Sequence, residues 1–369
     1  MTDPSGDGTR PTTAGRKTDH IRINLEEDVA AKGVGSGFDS YRFLHRALPE
    51  IDLAQVAIGT RIFGRPLGGP LFISCMTGGV PEAGRINRVL AEVAQELRLP
   101  LGLGSGRVQL EHREMLPGFD VRPIAPDVPI FANLGAVQLN RGVGVDQCRR
   151  LLERTGADAL VLHLNALQEA LQIEGDTCFS GLLGRIEELC RRLEAPVIVK
   201  EVGWGIAPDV AVALLDAGVT AIDVAGAGGT SWSEVERHRL QDPHRAAVAG
   251  AFAGWGIPTT DAVRMVRAAA PGALIFASGG IRHGLDAAKG LALGADLVGM
   301  AGPFLRAAAR GPEDALGLGR EVLDVLRTAM FCLGCRDLDA LRALPRLVGP
   351  GGVPVEPAPR TWPSPQVPA

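Results

Sequence analysis

Val161-Leu-His-Leu-Asn-Ala-Leu-Gln-Glu169 begins as an apolar run and ends in polar side chains. The polar residues are His163, Asn165, Gln168 and Glu169. Buried strands of a parallel sheet are normally continuous Val, Ile and Leu runs, because helices cover both faces of the sheet. The polar side chains therefore indicate a function, unless a core histidine followed by a helix cap explains them. In a (β/α)8 barrel the carboxyl end of such a strand lies on the active-site face.

Eight apolar, β-rich runs occur along the chain, and segments with the 3.6-residue apolar spacing of helices follow most of them. The runs are residues 70–76, 100–105, 129–136, 159–165, 196–203, 221–228, 274–280 and 297–302. The helical segments include residues 83–98, 145–155, 182–193, 208–217, 261–270 and 284–293, whereas residues 107–122 are irregular. Eight β-then-α units predict an α/β fold, a closed (β/α)8 TIM barrel over residues 70–345.

The two ends of the chain have compositions unlike that of the barrel. Residues 1–15 are polar and rich in Gly, Pro and Thr, which predicts a disordered leader. Residues 16–69 form an N-terminal extension before the first predicted strand. Residues 346–369 are proline-rich and predict an extended, disordered tail.

Composition restricts the partners of the protein. The chain is 46% hydrophobic and 22% charged with a net charge of −4, which gives no reason to expect nucleic acid or a membrane. No apolar run reaches the roughly 18 residues of a membrane span, and no signal-peptide core is present, so we expect a cytoplasmic protein. Cys332-Leu-Gly-Cys335 has CxxC spacing but no second pair, so we expect reduced thiols rather than a zinc or redox site.

Two turns of small residues end the seventh and eighth predicted strands, Ser278-Gly-Gly-Ile-Arg282 and Gly299-Met-Ala-Gly-Pro303. In barrels this pair of loops commonly binds phosphate, because free backbone N–H groups and a helix dipole point at the anion. Simple tight turns are the alternative. Lys200 ends the fifth strand, either facing the ligand or paired with Glu201. Glycines and small polar groups at the other strand ends suit a flat ring system with a phosphate, which predicts flavin mononucleotide (FMN).

Several segments together carry a resemblance to a known family. They are Arg16-Lys-Thr-Asp-His-Ile21, residues 76–79, 133–135, 163–169, 174–176, 199–203, 228–232, 255–259 and 278–282. In these segments the chain resembles the type 2, FMN-dependent isopentenyl diphosphate isomerases. That family has a barrel fold, interconverts isopentenyl and dimethylallyl diphosphate with reduced FMN and Mg2+, and usually assembles as tetramers or octamers.

The resemblance implies a role for individual residues. Arg16, Lys17 and Gln168 would bind the substrate, so the extension 16–69 would contribute to the substrate site. Glu169 would bind Mg2+, and a carboxylate suits this hard cation. The catalytic groups would be Gln168, His163 and Asn165. FMN would be held by Met76, Thr77, Gly78, Ser105, Asn133, Lys200, Thr230, Gly280, Arg282, Ala301 and Gly302.

The reaction implied by the resemblance is redox-neutral, with proton addition to the alkene and proton loss mediated by the reduced flavin, while NADPH only reduces FMN. Two other functions fit a flavin barrel. The first is an FMN-dependent 2-hydroxy acid oxidase or dehydrogenase, which needs a His/Arg pair near the seventh strand, where Arg282 and His283 stand. The second is a catalytically silent flavin sensor. A paralogue acting on another prenyl phosphate also fits, because Gly106 replaces the family's usual glutamine and leaves space there.

Overall fold

Eight parallel strands close into a barrel in chain order, with the last strand hydrogen-bonded to the first. The structure is a computed structural model and describes residues 13–112, 114–343 and 346–357. The barrel strands are β1 (Leu71–Ile73), β2 (Leu101–Ser105), β3 (Ile130–Gly135), β4 (Ala159–His163), β5 (Val197–Lys200), β6 (Ala221–Asp223), β7 (Leu274–Ala277) and β8 (Leu297–Met300). Each strand lies within the run predicted for it, so the predicted TIM barrel is confirmed.

Helices surround the barrel and extend beyond it at the N-terminus. They are α1 (Thr13–Glu26), α2 (Pro81–Leu97), α3 (Arg107–Glu111), α4 (Val145–Thr155), α5 (Ala166–Leu171), α6 (Leu182–Arg192), α7 (Pro208–Asp216), α8 (Trp232–Arg239), α9 (Pro243–Ala251), α10 (Thr259–Ala269), α11 (Gly284–Ala292), α12 (Gly302–Arg310), α13 (Pro312–Leu333) and α14 (Leu338–Arg342). Among the described residues, none of these helices combines the length and the apolarity needed to cross a bilayer.

The six helices predicted from periodicity all form, whereas α8 was not predicted. Its buried residues include Ser233, Glu234 and Glu236 as well as Val235. Buried polar side chains remove the apolar stripe on which a periodicity argument depends. Among its described residues, the irregular segment after the second strand contains the five-residue helix α3.

The amino end of the barrel is closed by side chains. Phe72, Phe131 and Phe276 belong to an apolar cluster contributed mainly by the barrel strands. An antiparallel hairpin, Thr60–Ile62 with Arg65–Leu67, packs its apolar residues onto this cluster. With the amino end filled, the carboxyl end of the barrel is where a ligand can enter.

The structure shifts both predicted boundaries outside the barrel. Helix α1 begins at Thr13, inside the predicted leader of residues 1–15, and residues 1–12 lie outside the described residues. In the predicted tail, Leu347–Val348 is buried and pairs antiparallel with Arg42–Phe43. Burial of these two consecutive apolar side chains stabilises the short pairing, although the segment is rich in proline. Residues 358–369 lie outside the described part.

Both cysteines of the CxxC pair are free thiols. Neither Cys332 nor Cys335 forms a disulfide. Burial raises the pKa of the Cys335 thiol to about 11, so it stays protonated at neutral pH. Within the described ranges, no three or more His, Cys, Asp and Glu residues form a group that could hold a metal.

Arg267 connects α10 to the turn before β8 and gives a test of the fold. Its side chain is 1% exposed and donates to Gly294 O at 2.9 Å and to Asp296 Oδ2 at 2.7 Å. Arg267→Met removes the charge that balances a mostly buried carboxylate. We expect the free energy of unfolding to fall by about 3 kcal/mol in urea denaturation. Arg320→Met, in an exposed ion pair with Glu96, should change it by less than about 1 kcal/mol; equal losses in the two variants would contradict this account.

Candidate active site

The carboxyl end of the barrel opens into a cavity of about 470 Å³. Strand ends form its wall, and α1 covers one side through Arg16, Lys17, His20, Ile21 and Asn24. The cavity brings together all the predicted site residues except Gly78. Those lining it are Arg16, Lys17, Met76, Thr77, Ser105, Asn133, His163, Asn165, Gln168, Glu169, Lys200, Thr230, Gly280, Arg282, Ala301 and Gly302.

Strand register aligns three polar side chains on one level of the wall. His163 of β4 pairs with Lys200 of β5, which pairs with Asp223 of β6. Asp223 is 2% exposed and accepts a hydrogen bond from Ser278 Oγ at 2.7 Å. Burial raises the pKa of Asp223, and the charge of Lys200 opposes this rise. Sequence reasoning missed Asp223, because it stands inside an apolar strand without a neighbouring polar residue on its own face.

Lys200 does not form the predicted alternative ion pair with Glu201. Its Nζ donates instead to the carbonyl oxygen of Glu201 at 2.5 Å. The Glu201 carboxylate accepts the backbone N–H groups of residues 202–204 at 2.5–2.7 Å and so shapes the loop after β5. Lys200 lines the cavity and is 8% exposed, so its positive charge is available to a bound ligand.

His163 is held as a neutral imidazole. Its Nδ1 lies 2.8 Å from Asn133 Oδ1, an acceptor, so Nδ1 carries the proton and Nε2 keeps a lone pair. Burial and the positive charges of Lys200 and Arg16 lower the pKa of His163 to about 3. At neutral pH the ring is therefore a hydrogen-bonding group rather than a cation.

Asn165 positions the side chains of two residues of α5, Gln168 and Glu169. Its Nδ2 donates to Gln168 Oε1 at 3.1 Å and to Glu169 Oε1 at 2.9 Å. Asn165 precedes the first turn of α5, which brings positions 168 and 169 back toward it. Asn165 Oδ1 is buried and has no hydrogen-bond partner. A buried, unpaired carbonyl beside a carboxylate is an acceptor to which a ligand or cation can bind.

Glu236 is a component of the site that sequence reasoning missed. Its carboxylate is fully buried, accepts from Gln168 Nε2 at 3.1 Å, lies 3.0 Å from His20 Nε2 and pairs with Arg239 at 2.6 Å. Burial opposes its ionisation, but His20, Arg239 and Gln168 together lower the pKa of Glu236 to about 2. A permanent negative charge therefore lies directly behind Gln168. Its sequence signal was weak, since Glu236 stands in a polar segment between predicted elements.

Glycine geometry at the end of β7 fits a phosphate group. Gly279 and Gly280 have φ of +100° and +71°, which favour glycine. A Cβ at Gly279 would lie 2.1 Å from Gly226 O, so side chains are excluded where the two loops meet. Helix α12 begins at Gly302, with a proline in its first turn, and directs its free N–H groups toward the cavity rim. Arg306, which the prediction did not include, lines the same side.

Lys17 attaches α1 to the ends of two barrel strands. Its Nζ donates to Gly78 O at 2.5 Å and to Ser105 O at 3.2 Å. Burial and the adjacent Arg16 lower the pKa of Lys17 to about 8. Gly78 itself packs against the Phe119 ring, which accounts for its place behind the cavity wall. Its carbonyl oxygen accepts a hydrogen bond from Lys17, and its contact with the flavin stays a prediction.

The glycine at position 106 does not leave the space that we expected. A Cβ there would lie 2.6 Å from Leu151 Cδ1, so position 106 faces helix α4. The next residue, Arg107, lines the cavity instead. The replaced glutamine therefore changes packing behind the wall, and the prediction of extra room beside the cofactor is wrong.

The histidine required by a hydroxy acid oxidase is used elsewhere. His283 Nδ1 accepts the backbone N–H of Asp286 at 3.3 Å and caps helix α11. Its side chain is 51% exposed. Arg282 lines the cavity, but the His/Arg pair needed to abstract a proton and clamp a carboxylate is not assembled there.

Protonation of His163 should make the protein less stable in acid. Its pKa is 6.5 as a free side chain and about 3 when folded, so between these values only the unfolded chain binds the proton. The stabilisation is complete above about pH 6.5 and is lost as the pH falls toward 3. Between pH 7 and 5 we expect this group to remove about 1–2 kcal/mol from the free energy of unfolding, allowing for solvent in the cavity.

Urea denaturation of wild type and His163→Gln at pH 7 and pH 5 measures this effect. The variant should lose that much less stability on acidification than wild type. His283→Gln, at the half-exposed cap of α11, is the matched control and should follow wild type. The assignment of a neutral His163 is wrong if His163→Gln and wild type lose equal stability.

Comparisons with known proteins place the chain in a family. A family model for FMN-dependent dehydrogenases matches residues 180–345. An isopentenyl-diphosphate delta-isomerase of Synechococcus sp. is 54% identical over 327 residues, covering 89% of this chain and 94% of that protein. One from Xanthobacter autotrophicus is 52% identical over 331 residues, covering 89% and 96%.

Solved structures with lower identity support the fold. A mandelate oxidase with a monooxide FMN adduct shares 20% identity at a TM-score of 0.61, over 88% of this chain and 94% of the other. A flavocytochrome b2 variant with pyruvate bound shares 18% at a TM-score of 0.65, over 89% and 82%. At such identities the likeness concerns the barrel alone. From its curated relatives and the family model, the chain belongs to the FMN-dependent, type 2 isopentenyl-diphosphate delta-isomerase family.

Proposed function

We propose that this protein interconverts isopentenyl and dimethylallyl diphosphate with FMN and Mg2+ as cofactors and NADPH as the reductant of the flavin. The observation that supports this best is the composition of the cavity. It combines a glycine turn that suits a phosphate, a cationic mouth and Gln168, whose amide bonds the buried Glu236 carboxylate behind it. Assembly as a tetramer or octamer stays a prediction from the resemblance, and a cytoplasmic location stays a prediction from the sequence.

The residues around the cavity suit FMN. The glycine cradle at residues 279–280, the start of α12 and Arg282 would hold the phosphate, while Lys200 and Asn133 would face the ring. When bound, reduced FMN supplies the proton for the alkene and electron density for the cationic carbon. His163, which lines the cavity, is unprotonated at neutral pH and therefore cannot supply this proton.

Glu169 is the proposed Mg2+ ligand. Its carboxylate is held by Asn165, by Gln172 Nε2 at 2.5 Å and by the backbone N–H of Asp176 at 2.6 Å. The free Oδ1 of Asn165 lies in the same cluster. Mg2+ commonly takes one or two carboxylates and completes its shell with water and substrate phosphates. A single orientated carboxylate near a diphosphate site agrees with that preference.

The diphosphate would bind to the cations at the mouth. Arg16, Lys17 and Arg107 line it, and two of the three Lys17 N–H donors already bond carbonyls, which leaves one for a phosphate oxygen. Helix α1 would then exclude water from the hydrocarbon end of the substrate. Gln168, fixed between Asn165 and Glu236, would orient the reacting carbons. The fixed charge of Glu236 would stabilise positive charge that develops nearby.

An anaerobic assay tests the proposal directly. Purified protein with FMN, NADPH, Mg2+ and isopentenyl diphosphate should form dimethylallyl diphosphate, and the reverse reaction should occur with the product. NADPH should be needed only to reduce the flavin, not in stoichiometric amounts. Turnover of 2-hydroxy acids without isomerisation would instead establish the oxidase alternative, and preference for a longer prenyl phosphate would establish the paralogue.

Lys200→Ala should weaken FMN binding and slow the reaction. The variant loses a fixed cation at the carboxyl end of β5, and loss of one preorganised contact of this kind costs about 3 kcal/mol in a catalytic step. Flavin absorbance after gel filtration and the rate at saturating FMN measure the two effects. Lys289→Ala, whose Nζ bonds Phe38 O away from the cavity, should keep both. Unchanged flavin content and rate in Lys200→Ala would remove this lysine from the site.

Glu169→Gln should raise the Mg2+ concentration required for activity while FMN content stays the same. The amide keeps the shape of the side chain but loses the charge that a hard cation prefers. We expect an increase of about tenfold, equivalent to about 1.4 kcal/mol. Glu187→Gln, on the exposed face of α6, is the control. A Mg2+ titration of Glu169→Gln that superimposes on that of wild type would rule out Glu169 as the ligand.

A further inference from the structure

We propose that Arg239 is a positioning residue that aligns α1 and Glu236 with the substrate cavity. It does not line the cavity itself; it acts through three carboxylates on three different elements. The kinetic part of this inference rests on the proposed isomerase function, whereas its structural part does not.

Arg239 is the last residue of α8, and its side chain is 4% exposed. It pairs with Glu236 of its own helix at 2.6 Å and with Glu174 of the loop between α5 and α6 at 2.9 Å. Its Nε lies 3.9 Å from Asp19 Oδ2 on α1. A buried cation needs compensating charge, and one carboxylate would neutralise it. Three carboxylates from three elements indicate a junction rather than a simple pair.

Each carboxylate is in contact with a residue of the cavity or of the helix that covers it. Glu236 bonds Gln168 and His20, and Glu174 Oε1 lies 4.0 Å from Arg16 Nε. Asp19 is on α1 itself. Arg239 is thus one contact away from residues on both sides of the proposed substrate, the reacting end and the diphosphate end.

Helix α1 is held by apolar contacts, with Ile21 in the main core, and by the polar contacts described above. Ile23 packs with Val235 and Val29 in a small cluster, and the His20 ring meets the Trp232 ring edge-on at 5.0 Å. Most of these partners belong to α8, which makes α8 the platform on which α1 rests. Charged contacts can break and re-form without loss of the hydrophobic core, which suits a helix that must admit a substrate.

The same helix offers a matched control in Arg237. Its guanidinium bonds both oxygens of Glu234 at 2.8–3.1 Å, also an i,i+3 pair. Its side chain is 39% exposed, and Glu234 does not contact the substrate residues given above. Arg237→Gln therefore removes an equal charge and a comparable ion pair from α8 without changing the junction.

Limited trypsin digestion of the FMN-loaded protein without substrate tests the structural part. We expect cleavage after Arg22 of α1, identified by fragment mass, to be at least about tenfold faster in Arg239→Gln than in wild type. Arg237→Gln should be cleaved at the wild-type rate. Arg239→Lys, which keeps the charge but lacks the planar fork, should be intermediate.

Asp19→Asn is a second variant for the same digestion, in case Arg239→Gln does not fold. It removes only the α1 side of the junction at a half-exposed residue, and cleavage should accelerate about threefold. Cleavage at the wild-type rate in Asp19→Asn and in Arg239→Lys would overturn the proposal. The proposal would also be overturned if Arg237→Gln were cleaved as fast as Arg239→Gln.

The kinetic part compares KM for isopentenyl diphosphate with FMN content. Arg239→Gln should raise KM about tenfold and lower kcat, because Arg16 and Gln168 lose their fixed positions, while FMN content stays at the wild-type level. Arg239→Lys should recover part of the KM change. Unchanged KM in Arg239→Gln would overturn the role in substrate positioning. If wild type itself does not isomerise but the digestion pattern is as expected, the proposed function fails and the positioning of α1 by Arg239 stands.

Discussion

Closure of the barrel by backbone hydrogen bonds between β8 and β1 is the constraint on which the rest of the structure depends. A closed sheet has no free edge, so the register of every strand is determined by its two neighbours. That register places His163, Lys200 and Asp223 on one level although they are far apart in sequence. The hairpin fills the amino end, and all the polar strand ends meet at the other. A site at the carboxyl rim follows from this geometry.

Electrostatics is the second organising feature of the site. Buried carboxylates at 223 and 236 and cations at 200 and 239 would each be costly alone, because removing a charge from water requires compensation. They occur instead in hydrogen-bonded groups, Asp223 with Ser278 and Glu236 with His20, Gln168 and Arg239. Such groups hold their dipoles in place before substrate arrives, which is the property that electrostatic catalysis requires.

The N-terminal extension forms part of the cavity wall. Helix α1 contributes several lining residues, and Lys17 joins it to carbonyls at the ends of β1 and β2. The helix is therefore attached through the buried ammonium of Lys17 and, one turn along, through Asp19 and His20 at the junction with α8. Ile21 in the main core and Ile23 beside Val235 add apolar contacts to these polar attachments.

The sequence by itself determined the barrel and most of the site. Continuous apolar runs and period-3.6 patterns report burial of local segments, and polar residues at the ends of apolar strands, such as Lys200 and Asn133, indicated the rim. Only the tertiary structure decided the partners of buried charges. Glu236 and Arg239 lie in a polar segment for which no element was predicted, and α1 packs on them from far away in sequence. Position 106 shows the same limit: its glycine faces Leu151 of α4, because the path of the neighbouring helix, not the local sequence, sets the space around a residue.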